Sequence, residues 1–271
     1  MARPTLLCVH AHPDDEALFT AGVTSHYGER GVRNVLVTCT TGQLGLDDRG
    51  RAGDDPDHDA ATTRATRAAE LMRAGALVGV ERQITLGFED SGMRGWATNE
   101  APGAFVNADL ETTARLVADV IDQEGAAVVV TYDESGFYGH PDHVMAHRVT
   151  RRAVELSTRA QRLFYPVVPR RVLTTFVSLA RSRAVTLPAW IEDAVTDTDD
   201  EAVTCVMDVA RFSARKQAAI ATHASQVDNA DLVDMDAELF ALLFGTEYYR
   251  LGWRRDPTSL ACVEDLFGGL R

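Results

Sequence analysis

Through the first half of the chain, short runs rich in Val, Leu and Thr alternate with longer Ala-rich segments of mixed polarity. Thr5–His10 and residues 34–40, 83–86 and 126–132 read as strands. Val128-Val129-Val130 is apolar without alternation, as in a strand covered on both faces. Residues 17–30, 60–76, 109–124 and about 141–157 carry helical spacing, and Gly31 suits the end of the first of these. Residues 42–59, 87–108 and 133–140, rich in Gly, Asp, Asn and Pro, read as loops. The strand–helix alternation predicts an α/β fold with a Rossmann-like, mostly parallel sheet of order 3-2-1-4-5 and helices on both faces. Strands one and four are then neighbours where the chain reverses direction, and ligands bind at the C-terminal ends of strands at such a point.

The second half is less periodic. Residues 203–209 alternate as a strand, and 212–224 read as a helix with Lys216 and Gln217 on a polar face. Residues 197–201 form an acidic, solvated turn. Without repeats or an evident linker, the expectation is one domain over 1–271, with a core at 1–160 and a C-terminal extension at 161–271.

Composition narrows the function. A hydrophobic share of 45% supplies a core without disulfides or a structural metal. A net charge of −13 argues against nucleic acid and anionic membranes as partners, and leaves small molecules, with a homo-oligomer compatible. Cys8, Cys39, Cys205 and Cys262 form no CxxC pair, so reduced thiols and a reducing compartment are expected. His10 comes too early for a signal-peptide core and no run reaches spanning length, so the expected location is cytoplasmic.

Two motifs carry chemistry. His12-Pro13-Asp14-Asp15-Glu16 follows strand one, and Tyr138-Gly139-His140-Pro141-Asp142-His143 follows strand four. Both fall at the expected crevice. Alone, each also reads as a helix start, with Pro early and carboxylates near the helix dipole. That reading leaves three histidines at two adjoining strand ends unexplained. His12, Asp15 and His143 can supply the three ligands of a catalytic zinc, which makes hydroxide available near neutral pH. Iron(II) suits the same donors. Asp14 then remains as a general base. His140 can stabilise an oxyanion, or protonate the departing amine as an imidazolium. Asp142 can orient a histidine through its free ring nitrogen.

At these residues the chain resembles the LmbE-like, or GlcNAc-phosphatidylinositol de-N-acetylase, family. Its hallmarks look like Ala11–Glu16 and His140-Pro141-Asp142-His143. Supporting likeness runs through residues 37–40, 90–93, 129–133 and 223–226. The resemblance is strongest to mycothiol-pathway members, a deacetylase of GlcNAc-inositol and an amidase of mycothiol conjugates. It implies zinc on His12, Asp15 and His143, Asp14 as base, and His140 at the tetrahedral intermediate with Tyr138 assisting. It also implies that Arg67 and Asp90 touch the amino sugar. The expected activity is metal-dependent N-deacetylation of an amino-sugar-containing small molecule. A thiol-conjugate amidase and a non-catalytic sugar-binding homologue are the alternatives. Leu46 departs from the deacetylase pattern, which carries a substrate-contacting glutamate there.

The other candidates read as structural. His10 points into the sheet, His147 shares the helical face of His143, His26 lies on a helix surface, and His58 is solvated. Residues 47–59 lack EF-hand spacing. His223 and Gln226 either approach the crevice or buttress a helix. Trp96, Phe105, Phe137 and Trp253 are core aromatics unless they line a sugar site. Neither a G-x-G-x-x-G nor a G-x-S-x-G motif occurs.

Overall fold

The structure is a computed structural model, and it describes residues 3–183, 185, 203–257 and 264–270. Residues 197–201 and Cys262 lie outside the described residues. Among the described residues one sheet contains β1 (Thr5–His10), β2 (Arg33–Thr40), β3 (Arg82–Phe88), β4 (Val128–Val130), β5 (Arg162–Val167), β6 (Cys205–Asp208) and β7 (Thr246–Arg254). Its order is β3-β2-β1-β4-β5-β7-β6. The first five strands pair in parallel, in the expected order 3-2-1-4-5. β7 runs antiparallel between β5 and β6, so part of the C-terminal third extends the same sheet.

Side chains alternate across the central strands. Leu7, Val9 and Val129 pack on the side of α4 (Leu110–Glu124) and α6 (Pro141–Leu156). Leu6, Cys8 and Val130 pack on the opposite side, with Val23 and Tyr27 of α2 (Ala21–Glu29). Helix starts follow the sequence signals. Asp59 accepts from the Thr62 amide at the head of α3 (Ala60–Val78), and Asp109 does the same with Thr112 on α4.

Two elements differ from the sequence expectation. The helix expected over 17–30 is broken into α1 (Asp15–Phe19) and α2, because Thr20 leaves helical geometry at φ −134°, ψ 2°. Its hydroxyl donates to the Glu16 carbonyl and pairs with His10 Nε2 at 2.9 Å. Lys216, expected on a polar face, is buried on α8 (Ser213–Thr222), which comes after α7 (Arg170–Ser182) among the described residues, and lies 2.8 Å from Glu247 of β7. The Glu247 carboxylate also accepts the amides of Gly22 and Val23. Helical periodicity cannot reveal a counter-charge that arrives from a distant strand.

Among the described residues no helix is long and apolar enough to cross a membrane. Cys8, Cys39 and Cys205 are buried, and burial pushes the Cys8 thiol up to about 12.

Candidate metal and catalytic site

The C-terminal ends of β1 and β4 adjoin, because Cys8 pairs with Val130. The segments that follow them deliver His12, Asp14 and Asp15 from one side and His140, Asp142 and His143 from the other. Asp142 and His143 lie in the first turn of α6, whose N-cap is His140 and whose first residue is Pro141. The helix-start reading therefore holds for the second motif, and it is compatible with the chemical one. The short helix α5 (Gly136–Gly139) carries Phe137 and Tyr138 over the crevice.

Hydrogen bonds fix which ring nitrogens face inward. His143 Nδ1 donates to the Gly136 carbonyl at 3.2 Å, which leaves Nε2 with its lone pair. His12 Nε2 donates to Asp142 Oδ2 at 3.1 Å, which leaves Nδ1 with its lone pair when the ring is neutral. These two lone pairs face each other at 3.3 Å. Asp15 Oδ2 is engaged by the His12 amide at 2.7 Å and the Tyr132 hydroxyl at 2.6 Å. Its partner oxygen Oδ1 lies 3.4 Å from His143 Nε2. Two ring nitrogens and a carboxylate oxygen buried together call for positive charge between them, which a proton on His12 or a metal ion could supply. A tetrahedral ion with bonds of about 2.0–2.1 Å spaces its ligands about 3.3–3.4 Å apart, so these spacings fit.

Surrounding groups hold the trio. Tyr132 stacks on His143 with centroids 4.1 Å apart and planes 12° apart. Asp142 is fully buried and accepts from both the Ser91 amide and the Ser91 hydroxyl. Burial works against charging His12, yet Asp90, Asp142 and Asp15 outweigh it and raise its pKa well above the ordinary value, so a metal ion at Nδ1 would displace a proton. Asp15 is kept well below the usual carboxylate range against its own burial, by His143 and His12.

His140 offers a second grouping. One atom each of His12, His140 and His143 falls within 4.8 Å of the others, as do atoms of His12, Asp90, His140 and Asp142. In the second group both Asp142 oxygens are already hydrogen-bonded. His140 Nδ1 accepts from the Asp142 amide at 3.1 Å, so its proton sits on Nε2. Burial first, then His12 and His143, hold its pKa down to about 2. His140 is therefore a neutral donor, in place of the imidazolium considered from sequence.

Asp14 lies beside the trio with a carboxyl raised to about 6 by burial, against the pull of Arg67. Arg67 is buried on α3, and its Nη2 sits 3.1 Å from Asp14 Oδ1. It also donates to the carbonyls of Pro13 and Gly42. Gly42 has φ +61°, and a Cβ there would lie 2.7 Å from both the guanidinium and Pro13, so the turn after β2 needs glycine.

Asp90 Oδ1 accepts the Gly92 amide at 2.8 Å and lies 3.6 Å from His12 Nε2. Tyr138 stands at the rim, 55% exposed. Of the site residues expected from the sequence, all except Asp142 and His143 border one cavity of about 640 Å³, with Leu44, Leu46, Met93, Trp96 and Phe137 among its apolar walls.

Most of the structural placements expected from the sequence hold, and His58 departs from its own. Phe105 is wholly buried and Trp253 packs against the same core cluster. His58 is tied to the Gly45 carbonyl at 2.9 Å, so it pins its loop instead of facing solvent. His147 donates to the Tyr132 carbonyl at 3.0 Å, and His10 lies behind the site. His223 reaches Glu16 at 2.7 Å, and Gln226 pairs with the Leu46 backbone in both directions. Tyr132, Ser91 and the Gly136 carbonyl were not singled out from sequence. Each acts through a partner fixed by the fold.

A comparison with protein families matches residues 7–154 to the family described as PIG-L, GlcNAc-PI de-N-acetylase. The chain belongs to this family. Among curated family relatives, the 1D-myo-inositol 2-acetamido-2-deoxy-alpha-D-glucopyranoside deacetylase of Acidothermus cellulolyticus is 38% identical, covering 98% of this chain and 95% of its own. Among solved structures, the N,N'-diacetylchitobiose deacetylase from Pyrococcus horikoshii has a TM-score of 0.60 at 17% identity, covering 91% of this chain and 83% of that one. GalB, a 4-carboxy-2-hydroxymuconate hydratase from Pseudomonas putida, reaches 0.59 at 16% identity, over 95% of this chain and 100% of that one. The family fold therefore also occurs in a protein named for a different reaction, and the site has to carry the functional argument.

Proposed function

We propose that this protein hydrolyses the N-acetyl group of an amino-sugar-containing small molecule, using a divalent metal held by His12 Nδ1, Asp15 Oδ1 and His143 Nε2. The observation that carries the reading is the buried trio of facing acceptors with a separate carboxylate, Asp14, beside it. Zinc is the proposed ion, and iron(II) has the same donor preference. When bound, the metal lowers the pKa of water and polarises the amide carbonyl. Asp14 takes a proton from the attacking water and returns one to the departing nitrogen. The neutral His140 donates from Nε2 to the oxygen that gains charge, and Tyr138 assists from the rim. Asp90 and Arg67 border the sugar. The amide C–N bond breaks, leaving acetate and a free amine. The buried thiols of Cys8 and Cys39 support a reducing, cytoplasmic setting, and the net charge of −13 supports small-molecule partners over nucleic acid or membranes.

The test is fluorescent detection of amine release across N-acetylated amino sugars, with metal content measured on the same sample. Amine and acetate in equal amounts are expected. A mercapturate-type acid released from a thiol conjugate, without activity on acetylated sugars, would move the assignment to the amidase. Sugar binding without amine at any metal loading would leave only a binding protein.

The wall of Leu44, Leu46, Met93 and Trp96 supports an aglycone less polar than inositol. Burying about 100 Å² of apolar surface is worth roughly 2.5 kcal/mol. Phenyl or hexyl glycosides of N-acetylglucosamine are therefore expected to show kcat/KM at least about tenfold above that of GlcNAc-inositol. Equal or inverted values would return inositol to the site.

A further inference from the structure

Asp14 is held in a conformation that an L-residue rarely adopts. Its φ is 118°, and among the described residues Phe137 is the one other non-glycine with positive φ. Several contacts enforce the turn. The Asp14 carbonyl accepts from the amides of Ala17 at 3.0 Å and Leu18 at 3.3 Å. Its amide donates to Glu16 Oε2 at 3.0 Å. Its carboxylate meets Arg67, which also binds the preceding carbonyl of Pro13.

Glu16 is anchored in turn from far along the chain. Its Oε1 lies 2.7 Å from His223 Nε2, and both side chains are buried. His223 follows α8, on a turn locked to α3. The amide and hydroxyl of Ser225 both bind the Glu70 carboxylate, at 2.9 and 2.7 Å. Glu70 sits three residues beyond Arg67, on the same helical face. One helix therefore reaches the Asp14 carboxylate directly and also anchors the turn that carries His223. The second ring nitrogen of His223, Nδ1, is buried with no partner among the described residues. The Glu16 contact is thus the hydrogen bond that the imidazole makes.

We propose that His223 and Glu16 are positioning residues for Asp14: the imidazole holds the Glu16 carboxylate, and that carboxylate holds the Asp14 amide so that the side chain points at the reacting water. The proposal rests on the reading of Asp14 as base. Fixing φ fixes the direction of the Cα–Cβ bond, and a misplacement of about 1 Å at a reacting group costs about a hundredfold in rate.

The test uses the full-length, metal-loaded enzyme with His223→Phe, His223→Gln and Asp14→Asn, singly and combined, on an N-acetylated amino sugar. His223→Phe is expected to lower kcat about ten- to a hundredfold, with KM and metal content unchanged. His223→Gln, whose amide can still donate to Glu16, is expected to recover most of that loss. In the Asp14→Asn background, His223→Phe is expected to cost less than about twofold more, because residues acting as one unit are not additive. Rates are taken per folded, metal-loaded molecule. Unchanged kcat with a lowered Tm overturns the proposal, as does the same fold-loss in both backgrounds. Near-normal turnover of Asp14→Asn alone removes the base reading itself, and that result is read independently of the His223 variants.

Discussion

Asp14→Asn is expected to keep its metal and lose about a hundred- to ten-thousandfold in kcat, the range that a general base contributes. The substitution is close to isosteric. Asparagine also tolerates positive φ better than most residues, so the backbone at φ 118° has no added reason to move. The amide side chain cannot accept the proton from water. Metal analysis and kcat on one preparation separate the two effects. Activity within about threefold of the unmodified enzyme, with metal in place, would remove Asp14 from the chemistry.

The second large effect is loss of the metal, and comparing Asp15 with His140 separates the two possible donor sets. His143→Asn is expected to release the metal on dialysis and abolish amine production. Removing a group that only supports a ligand typically costs about 10–100-fold in metal affinity, and removing the ligand itself costs more. Asp15→Asn should behave similarly. His140→Ala is expected to retain a full equivalent of metal while kcat falls about a hundred- to a thousandfold, the loss seen when one oxyanion donor is removed. The reverse pattern, with metal lost from His140→Ala and kept by Asp15→Asn, would give the ion to His12, His140 and His143, whose donor atoms also lie within 4.8 Å of one another.

Much of this arrangement was legible in the sequence, for physical reasons that can be named. The parallel order 3-2-1-4-5 followed from the alternation of β-rich runs with helical spacing, since right-handed crossovers allow few alternatives. The two motifs were readable because each sits directly after a buried strand, where a strand end fixes side-chain direction. Contacts made across long sequence separations were not readable. Arg67 was reached only through the family resemblance, because periodicity says nothing about the turn at Gly42 that closes over it. Lys216 looked solvated because Glu247 lies in a strand whose mixed sequence, Thr246–Arg254, does not alternate cleanly. His223 was left between two roles, and the Glu16 oxygen that decides it is 207 positions away. The neutral state of His140 depends on the charges and burial around it, which the chain order does not disclose.

The pairing of β7 with β5 and the reach of His223 back to Glu16 bear on how the protein can be dissected. A fragment ending at residue 167 would retain five parallel strands and every proposed metal donor, so it would look like a minimal catalyst on paper. It would nonetheless present β5 as an open edge, inviting self-association, and leave the Glu16 carboxylate with no imidazole to meet it. Trimming or grafting schemes should therefore treat the tail as part of the machinery that aims the proton acceptor, and screening libraries built around residues 213–229 should yield turnover variants as readily as stability variants.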